Sequence, residues 1–338
     1  MPTIKEIAVK CNVSTATVSK ALHNSSELKQ ETIDYICKTA KKMGYIPNAI
    51  ARSLKNNRTH SIGILYVDHT SWGLKHEYFS TILDSIKVEA ESKGYDVTFI
   101  SHNYGGETIS YLEHTRYRRL DGVVIVSVDF TDKEVQELVN SEIPCVTIDY
   151  VYNSATAVLS NNASGLESLT DYIIDSGHKK IAFIHGENTE VTKKRLAGFY
   201  HSMSKHNIEV DESLLFTGAY HDPKSSGKIT KELLASENIP SCIIYPDDVS
   251  MIGGISAITN AGYKVPEDIS CAGFDGVNIS RIMRPIFTTF VQAADELGKV
   301  SANELIGRIE HKEMFVPKVI VVDGEVQTGG TVKVVSSK

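Results

Sequence analysis

From residue 61 onward, short β-branched runs alternate with helical patterns, and this alternation limits the fold more than any other feature. "SIGILYV" (61–67), "DVTFIS" (96–101), "GVVIVSV" (122–128) and "PCVTID" (144–149) read as parallel strands buried on both faces. Between the first two, Tyr78, Phe79, Ile82, Leu83, Ile86 and Ala90 share one face of a helix. A second series follows: "KIAFIHG" (180–186), "SCIIYP" (241–246) and "ISCAGF" (269–274). Helical patterns around 164–176, 193–206, 224–236 and 249–261 separate these runs. Repeated βα units predict doubly wound parallel sheets, and two series predict two lobes with a cleft between them.

The chain has 338 residues, enough for two or three domains. It is 41% hydrophobic and 23% charged, ordinary for a globular protein. No apolar run approaches the roughly 20 residues of a membrane helix. "MPTIKEIAVK" lacks the apolar stretch of a signal peptide, which predicts a cytoplasmic protein. Cys11, Cys37, Cys145, Cys242 and Cys271 form no Cys-x-x-Cys pair and read as free thiols. Residues 1–60 carry eight Lys and two Arg against three Glu and one Asp, a net of +6. With −7 overall, the remainder holds −13. A basic head on an acidic body points to a polyanion that only the head meets.

The head itself reads as three helices. Thr3 and Glu6 fit a capping box, and Ile4, Ile7, Ala8 and Cys11 form one apolar face. Asn12 suits a turn, and Ser14 caps a second helix from about Thr15 to Leu22. Val18, Ala21 and Leu22 fall on its inner side; Ala16, Ser19 and Lys20 fall opposite, flanked by Thr15 and Thr17. A third helix, about Gln30 to Met43, buries Ile33, Ile36, Cys37, Ala40 and Met43, and Gly44 stops it. This is a helix-turn-helix. Its second helix is built of small residues because a backbone entering the major groove leaves little room. Its hydroxyls suit phosphates and base edges, and Ala16 suits a thymine methyl.

"YIPNAIARSLKNNRTHSIGILY" (45–66) comes next. Pro47 ends the previous helix and Asn48 caps a short one to about Lys55. Eight residues are marginal alone, so this helix needs its own copy in a dimer, DNA, or both. Leu54 has no local core to enter and suits a wedge between base steps in the minor groove. "TIKEIAVKCNVSTATVSKAL" followed by "YIPNAIARSLKNNRTHSIGIL" resembles the lac-repressor (LacI/GalR) family of bacterial transcription regulators. The resemblance implies a periplasmic-binding-protein-like body of two doubly wound parallel sheets, behind an all-α helix-turn-helix head and a hinge helix. It places Thr15, Ala16 and Lys20 at base-reading positions and Leu54 and Ala51 in the hinge. With their flanks, the expected DNA contacts are Ser14, Thr15, Ala16, Thr17, Ser19, Lys20, Asn48, Ala51, Leu54 and Lys55. The expected division is 1–46 for the head, 47–60 for the hinge and 61–338 for the body. Within the body, lobe one takes about 61–158 and 290–317, and lobe two about 159–287 and 319–336.

Ligands of such sheets sit at the carboxyl ends of strands. After the strands above come Asp68 and Trp72, then Asp149, then Lys193, Lys194 and Arg195. Tyr220, His221, Asp247, Asp248, Asp275 and Gln292 follow in the second series. Carboxylates, one Arg, amides and flat rings suit a polyhydroxylated ligand. An Asp after a strand is also an ordinary helix cap. "RLAGF" (195–199), "YPDD" (245–248) and "GFDG" (273–276) resemble the family's effector-contact motifs in the right order. By that resemblance Arg195, Tyr220, Asp247 and Asp275 contact effector, joined by Asp68, Trp72, Phe79 and Gln292.

Catalytic motifs are absent: G-x-G-x-x-G, G-x-x-x-x-G-K-[ST] and G-x-S-x-G do not occur. His76-Glu77 begins like H-E-x-x-H, but Ser80 stands at the second His, which argues against zinc. The sequence therefore predicts a non-enzymatic, cofactor-free and metal-free regulator. It binds operator DNA as a homodimer, answers to a sugar-like effector and makes no membrane contact. No heptad tail follows "VKVVSSK", which predicts no tetramer. The alternatives are a purine corepressor, a regulator or activator using a phosphocarrier protein, and a transport-system sugar-binding protein.

Overall fold

A computed structural model of the chain describes residues 2–22, 25–45, 58–68, 72–311 and 316–335. It divides into two compact units, Met1–Thr59 and His60–Lys338. The expected hinge residues Asn48, Ala51, Leu54 and Lys55 lie outside the described residues.

In the first unit, helices span Ile4–Cys11, Thr15–Leu22 and Gln30–Lys42. The capping box is present: Thr3 N–H donates to Glu6 Oε2 at 2.7 Å, and Glu6 N–H to Thr3 Oγ1 at 3.3 Å. Asn12 turns the chain at φ 54°, a left-handed conformation that Asn tolerates. Ser14 Oγ then accepts from Thr17 N–H at 3.0 Å and starts the second helix. Ile7, Cys11, Val18, Ala21, Ile33 and Ile36 fill the core. Cys37 and Met43, expected inside, are only half-buried and pack on its rim.

The second unit holds two six-stranded sheets. In the first the order is β13 (Val319–Val322), β7 (Thr156–Ser160), β6 (Cys145–Ile148), β5 (Gly122–Ser127), β1 (Ser61–Tyr66) and β2 (Asp96–Ile100), all parallel. In the other it is β14 (Glu325–Gln327), β12 (Thr288–Val291), β11 (Ser270–Asp275), β10 (Cys242–Ile244), β8 (Ile181–His185) and β9 (Leu215–Thr217). Here only β14 runs antiparallel. A two-stranded hairpin, β3 (Asn103–Tyr104) and β4 (Glu107–Thr108), stands apart. The inner strands are buried on both faces, which is why they read as unbroken apolar runs.

The chain passes between the lobes three times: from β7 into the helix Asn162–Asp175, from β12 into the helix Ala294–Glu310, and from β13 into β14. This corrects the expected division. β12 lies wholly in the second sheet, so lobe one resumes after Val291 and not at 290. β13 pairs with β7, Val319 opposite Ala157, so 319–322 belongs to lobe one and not to lobe two. β7 itself extends lobe one to Ser160.

Helices cover the faces at close range. Gly198 on the helix Glu190–Lys205 has room for no side chain: a Cβ there would sit 2.1 Å from Ala163 O. Gly253 on the helix Asp248–Asn260 is tighter, with Pro223 O at 1.8 Å from such a Cβ. Because the obstacle is backbone, Gly253→Ala forces the helices Pro223–Ala235 and Asp248–Asn260 apart. The expected loss is about 1–3 kcal/mol of unfolding free energy, read from urea melts; an unchanged midpoint would refute the close packing.

Candidate functional site

The exposed face of the head's second helix follows from its capping. With Val18 and Ala21 turned into the core, Thr15, Ala16 and Lys20 are exposed, and Thr17 and Ser19 are half-buried beside them. Ser14 is exposed, and its hydroxyl is held by Thr17 Oγ1 at 2.9 Å. Lys20 pairs with Glu27, whose carboxyl it draws below the usual range.

In the body, side chains from both lobes converge between the carboxyl ends of the strands. Arg195 is 5% exposed. Its guanidinium lies 3.7 Å from the Phe274 ring centroid. Nε donates to Asn162 Oδ1 at 2.9 Å and Nη1 to Pro246 O at 2.8 Å. Nη2 stands 3.7 Å from Asp275 Oδ1, an ion pair without a hydrogen bond. Asp275 ends β11 at φ 97° and Asp149 follows β6 at φ 59°, both outside the ordinary range for a side-chain-bearing residue. Gln292 Nε2 donates to Asp275 Oδ1 at 2.7 Å. Gln292 Oε1 accepts from Ser160 Oγ at 2.5 Å and lies 3.4 Å from Tyr78 Oη, which is equally far from Asp149 Oδ2. Burial raises the Asp149 carboxyl above its ordinary value, against the hydrogen bond from Ser160 N–H and the Arg195 charge.

Beside this cluster, rings cross the cleft. His76, at the start of the helix Glu77–Ser92, stacks on His221 at 3.5 Å between centroids and 20° between planes. Phe79 lies 4.7 Å from His76, and Trp72 meets the His221 edge at 5.6 Å. Burial, then the neighbouring His221, push the His76 imidazole down to about 4, although Asp247 and Asp68 pull the other way. Tyr220 lies beneath Arg195 at 5.5 Å and bonds Thr192 Oγ1 at 2.8 Å.

Two comparisons with known proteins cover sequence. Residues 3–48 match the model of bacterial regulatory proteins of the lacI family, and residues 170–332 match a periplasmic binding protein-like domain. The HTH-type transcriptional repressor PurR of Haemophilus influenzae is 32% identical over 327 residues, 96% of each chain. PurR of Mannheimia succiniciproducens is 33% identical over 318 residues, 93% of each. The chain belongs to the lacI family. It is a DNA-binding transcription regulator with a two-lobed, allosteric body. A comparison of structures agrees on the fold of this family member. A lac repressor dimer bound to operator and the anti-inducer ONPF matches with TM-score 0.81 at 21% identity, covering 98% of this chain and 99% of that one. A complex of the regulator CelR with cellobiose matches with TM-score 0.71 at 22% identity, covering 98% and 100%.

Not every expected residue of this lacI-family chain faces the cleft in the way its type suggested. Arg195, Asp275, Gln292 and Tyr220 cluster. Asp247 is buried as a helix cap: its carboxylate accepts from Ser250 N–H and His221 N–H, each at 2.7 Å, and from Ser250 Oγ at 2.9 Å. Asp68 accepts from Gly73 N–H at 2.7 Å and braces its own loop. Trp72 is 41% exposed, and Phe79 half-buried. Sequence reasoning placed Tyr78 on a helix's apolar face, gave Ser160 and Asn162 no role in the site, and treated His76 only as a failed zinc motif.

The His76 shift has a pH signature. Above pH 6.5 neither the folded nor the unfolded chain protonates this group. As pH falls below 6.5, the unfolded chain takes up a proton that the folded chain refuses until about pH 4. Stability present above pH 6.5 is therefore lost on the way to pH 4. In urea melts from pH 7 to pH 4.5, the His76→Phe variant should gain about 2 kcal/mol relative to the native chain. Parallel pH profiles would place His76 in a wet environment instead.

Proposed function

We propose that this chain is an operator-binding repressor whose DNA affinity is set by a small, sugar-like effector in the interlobe cleft. One observation carries the reading. Arg195, Asp275, Gln292, Ser160 and Tyr78 form a buried chain of contacts that joins both lobes through two of the crossovers. A ligand that alters those contacts alters the angle between the lobes. Such differential binding couples the cleft to DNA affinity by about 1–3 kcal/mol, or 5–150-fold.

The effector class is read from hydrogen-bond supply. Arg195 spends two donors on protein oxygens and turns a third nitrogen to Asp275, whereas the Asp149 and Asp275 carboxylates keep lone pairs beyond the Ser160, Tyr78 and Gln292 donors that reach them. Vicinal hydroxyls supply the missing donors, and a planar base supplies fewer. Asp68, Trp72, Phe79 and Asp247 complete the walls in this reading. The fold accommodates cellobiose in CelR, which is consistent with that class.

On the DNA side, Ser14, Thr15, Ala16, Thr17, Ser19 and Lys20 contact the major groove, and Asn48, Ala51, Leu54 and Lys55 the minor groove. The regulator works as a homodimer in the cytoplasm. Exposed Ile282, Met283 and Ile286 on one lobe and Val88, Phe99 and Tyr117 on the other are surfaces that suit a second copy.

Two substitutions test the two ends separately. Arg195→Ala should abolish the effector's influence on operator binding while leaving effector-free affinity within about twofold, by fluorescence anisotropy; a full response would reject the cleft. Lys20→Ala should weaken operator binding about 5–100-fold, the 1–3 kcal/mol of one specific base contact, with the same response to effector. Unchanged affinity and unchanged salt slope would remove Lys20 from the reading face.

A further inference from the structure

His76 is 4% exposed, and its buried Nδ1 meets no donor or acceptor of another residue among the described residues. It stands at the N-cap of the helix Glu77–Ser92, yet its side chain caps nothing. An orphaned buried nitrogen of this kind costs about 1–3 kcal/mol until something pairs with it. Its ring is held in the cleft by Phe79 on its own lobe and by His221 from the opposite lobe.

Carboxylates crowd the cleft it faces. Asp247 and Asp68 act on the imidazole directly, and Asp149 and Asp275 line the same cleft beside Arg195. The imidazole remains neutral in spite of the nearby carboxylates, so it offers a bare nitrogen and one N–H. Among the described residues His221 is the other imidazole against it, and that ring lies 3.6 Å from Asp247 through Nδ1. Acceptors therefore dominate what a ligand meets, and negative charge is already in surplus.

We propose that His76 is a specificity-determining residue of the effector site, selecting ligands that present hydrogen-bond donors and rejecting those that carry phosphate or carboxylate. The class is polyols and amino sugars. This rests on the reading of the cleft as the effector site and adds to it a rule of exclusion. A ligand hydroxyl or ammonium reaching His76 satisfies the orphaned nitrogen and relieves the crowd of carboxylates. A phosphate does neither. Entry of such a ligand also parts or tilts the His76–His221 stack, which ties the recognition step to the separation of the lobes.

The test uses the full chain and a panel of neutral hexoses, pentoses and disaccharides with their 2-amino and phosphorylated counterparts, plus purines and nucleosides. Binding is read by thermal shift and then calorimetry at pH 7.5. Neutral or amino compounds should bind and their phosphates should not. His76→Phe should weaken the best binder about tenfold, as loss of one hydrogen bond predicts, whereas His76→Asn, which keeps an acceptor, should retain it within about threefold. Operator binding by both variants confirms that they fold. Proton uptake should be near zero, seen as equal heats in buffers of different ionisation enthalpy. Phosphates as the preferred ligands, or His76→Phe binding unchanged, would overturn the role of His76 while leaving the cleft intact if Arg195→Ala still abolishes binding. A panel with no binder, or binding indifferent to Arg195→Ala, would overturn both.

Discussion

The amide of Gln292 is the constraint on which the body's architecture rests. It lies on the crossover that follows β12, and it is 5% exposed. Its nitrogen reaches Asp275 at the end of the second sheet, and its oxygen reaches Ser160 at the end of the first. The other two crossovers are tied beside it: Asn161 N–H donates to Val322 O at 3.0 Å and Asn161 Nδ2 to Asp323 Oδ1 at 2.7 Å. An amide places a donor and an acceptor on two separate atoms of one side chain without a net charge. A carboxylate there would face Asp275 as a like charge, and an apolar side chain would strand several buried polar groups. The three crossings are thereby fixed relative to one another, and the lobes are left to turn about them.

That geometry explains why the cleft gathers so many acids. The strands of both sheets end there, and helix starts and tight turns at strand ends favour Asp. Asp149 and Asp275 adopt positive φ to make their turns. Asp247 caps a helix, and burial raises its carboxyl, with His221 opposing that shift. Asp248, next in the chain, accepts from Val277 N–H at 3.0 Å and is pushed well above its ordinary value by burial. The fold needs these carboxylates for structure, and Arg195 is the buried cation set directly against them. The electrostatic imbalance that results is the property we propose a ligand reads.

The main strands and the head were legible because burial leaves a periodic trace. "GVVIVSV" and "PCVTID" became β5 and β6 with shifts of one residue at their ends, and Thr3, Glu6, Asn12 and Ser14 took the capping and turn roles their types suggest. What failed was connectivity. β13 is four apolar residues at a sheet edge, exposed at alternate positions, and nothing in "VIVV" says which sheet it joins. β7 is five residues of mixed character and was passed over. The site was legible as residue types but not as pairings. Arg195, Asp275 and Gln292 meet across 97 positions of sequence, and no local pattern distinguishes Asp247 the cap from Asp275 the neighbour of Arg195. The stack of His76 on His221 joins residues 145 apart on different lobes, so no local sequence window contains both.

The two units meet their ligands by opposite physical means. The head's proposed reading face is exposed, and its lysine pairs with Glu27 at the surface. Exposed ion pairs are weak and screened, so a phosphate or base edge replaces the carboxylate readily. The proposed effector cleft is buried and its Arg195, Asp275, Gln292 and Ser160 groups are already paired, with His76 Nδ1 an exception. Weak, salt-dependent contacts at the head allow fast search of DNA. Buried contacts in the proposed effector cleft favour discrete lobe arrangements over gradual ones, because packed interfaces do not deform continuously. A regulator needs that division: a grip that is easily released, and a sensor whose arrangements differ in structure yet lie within the few kcal/mol a ligand can shift.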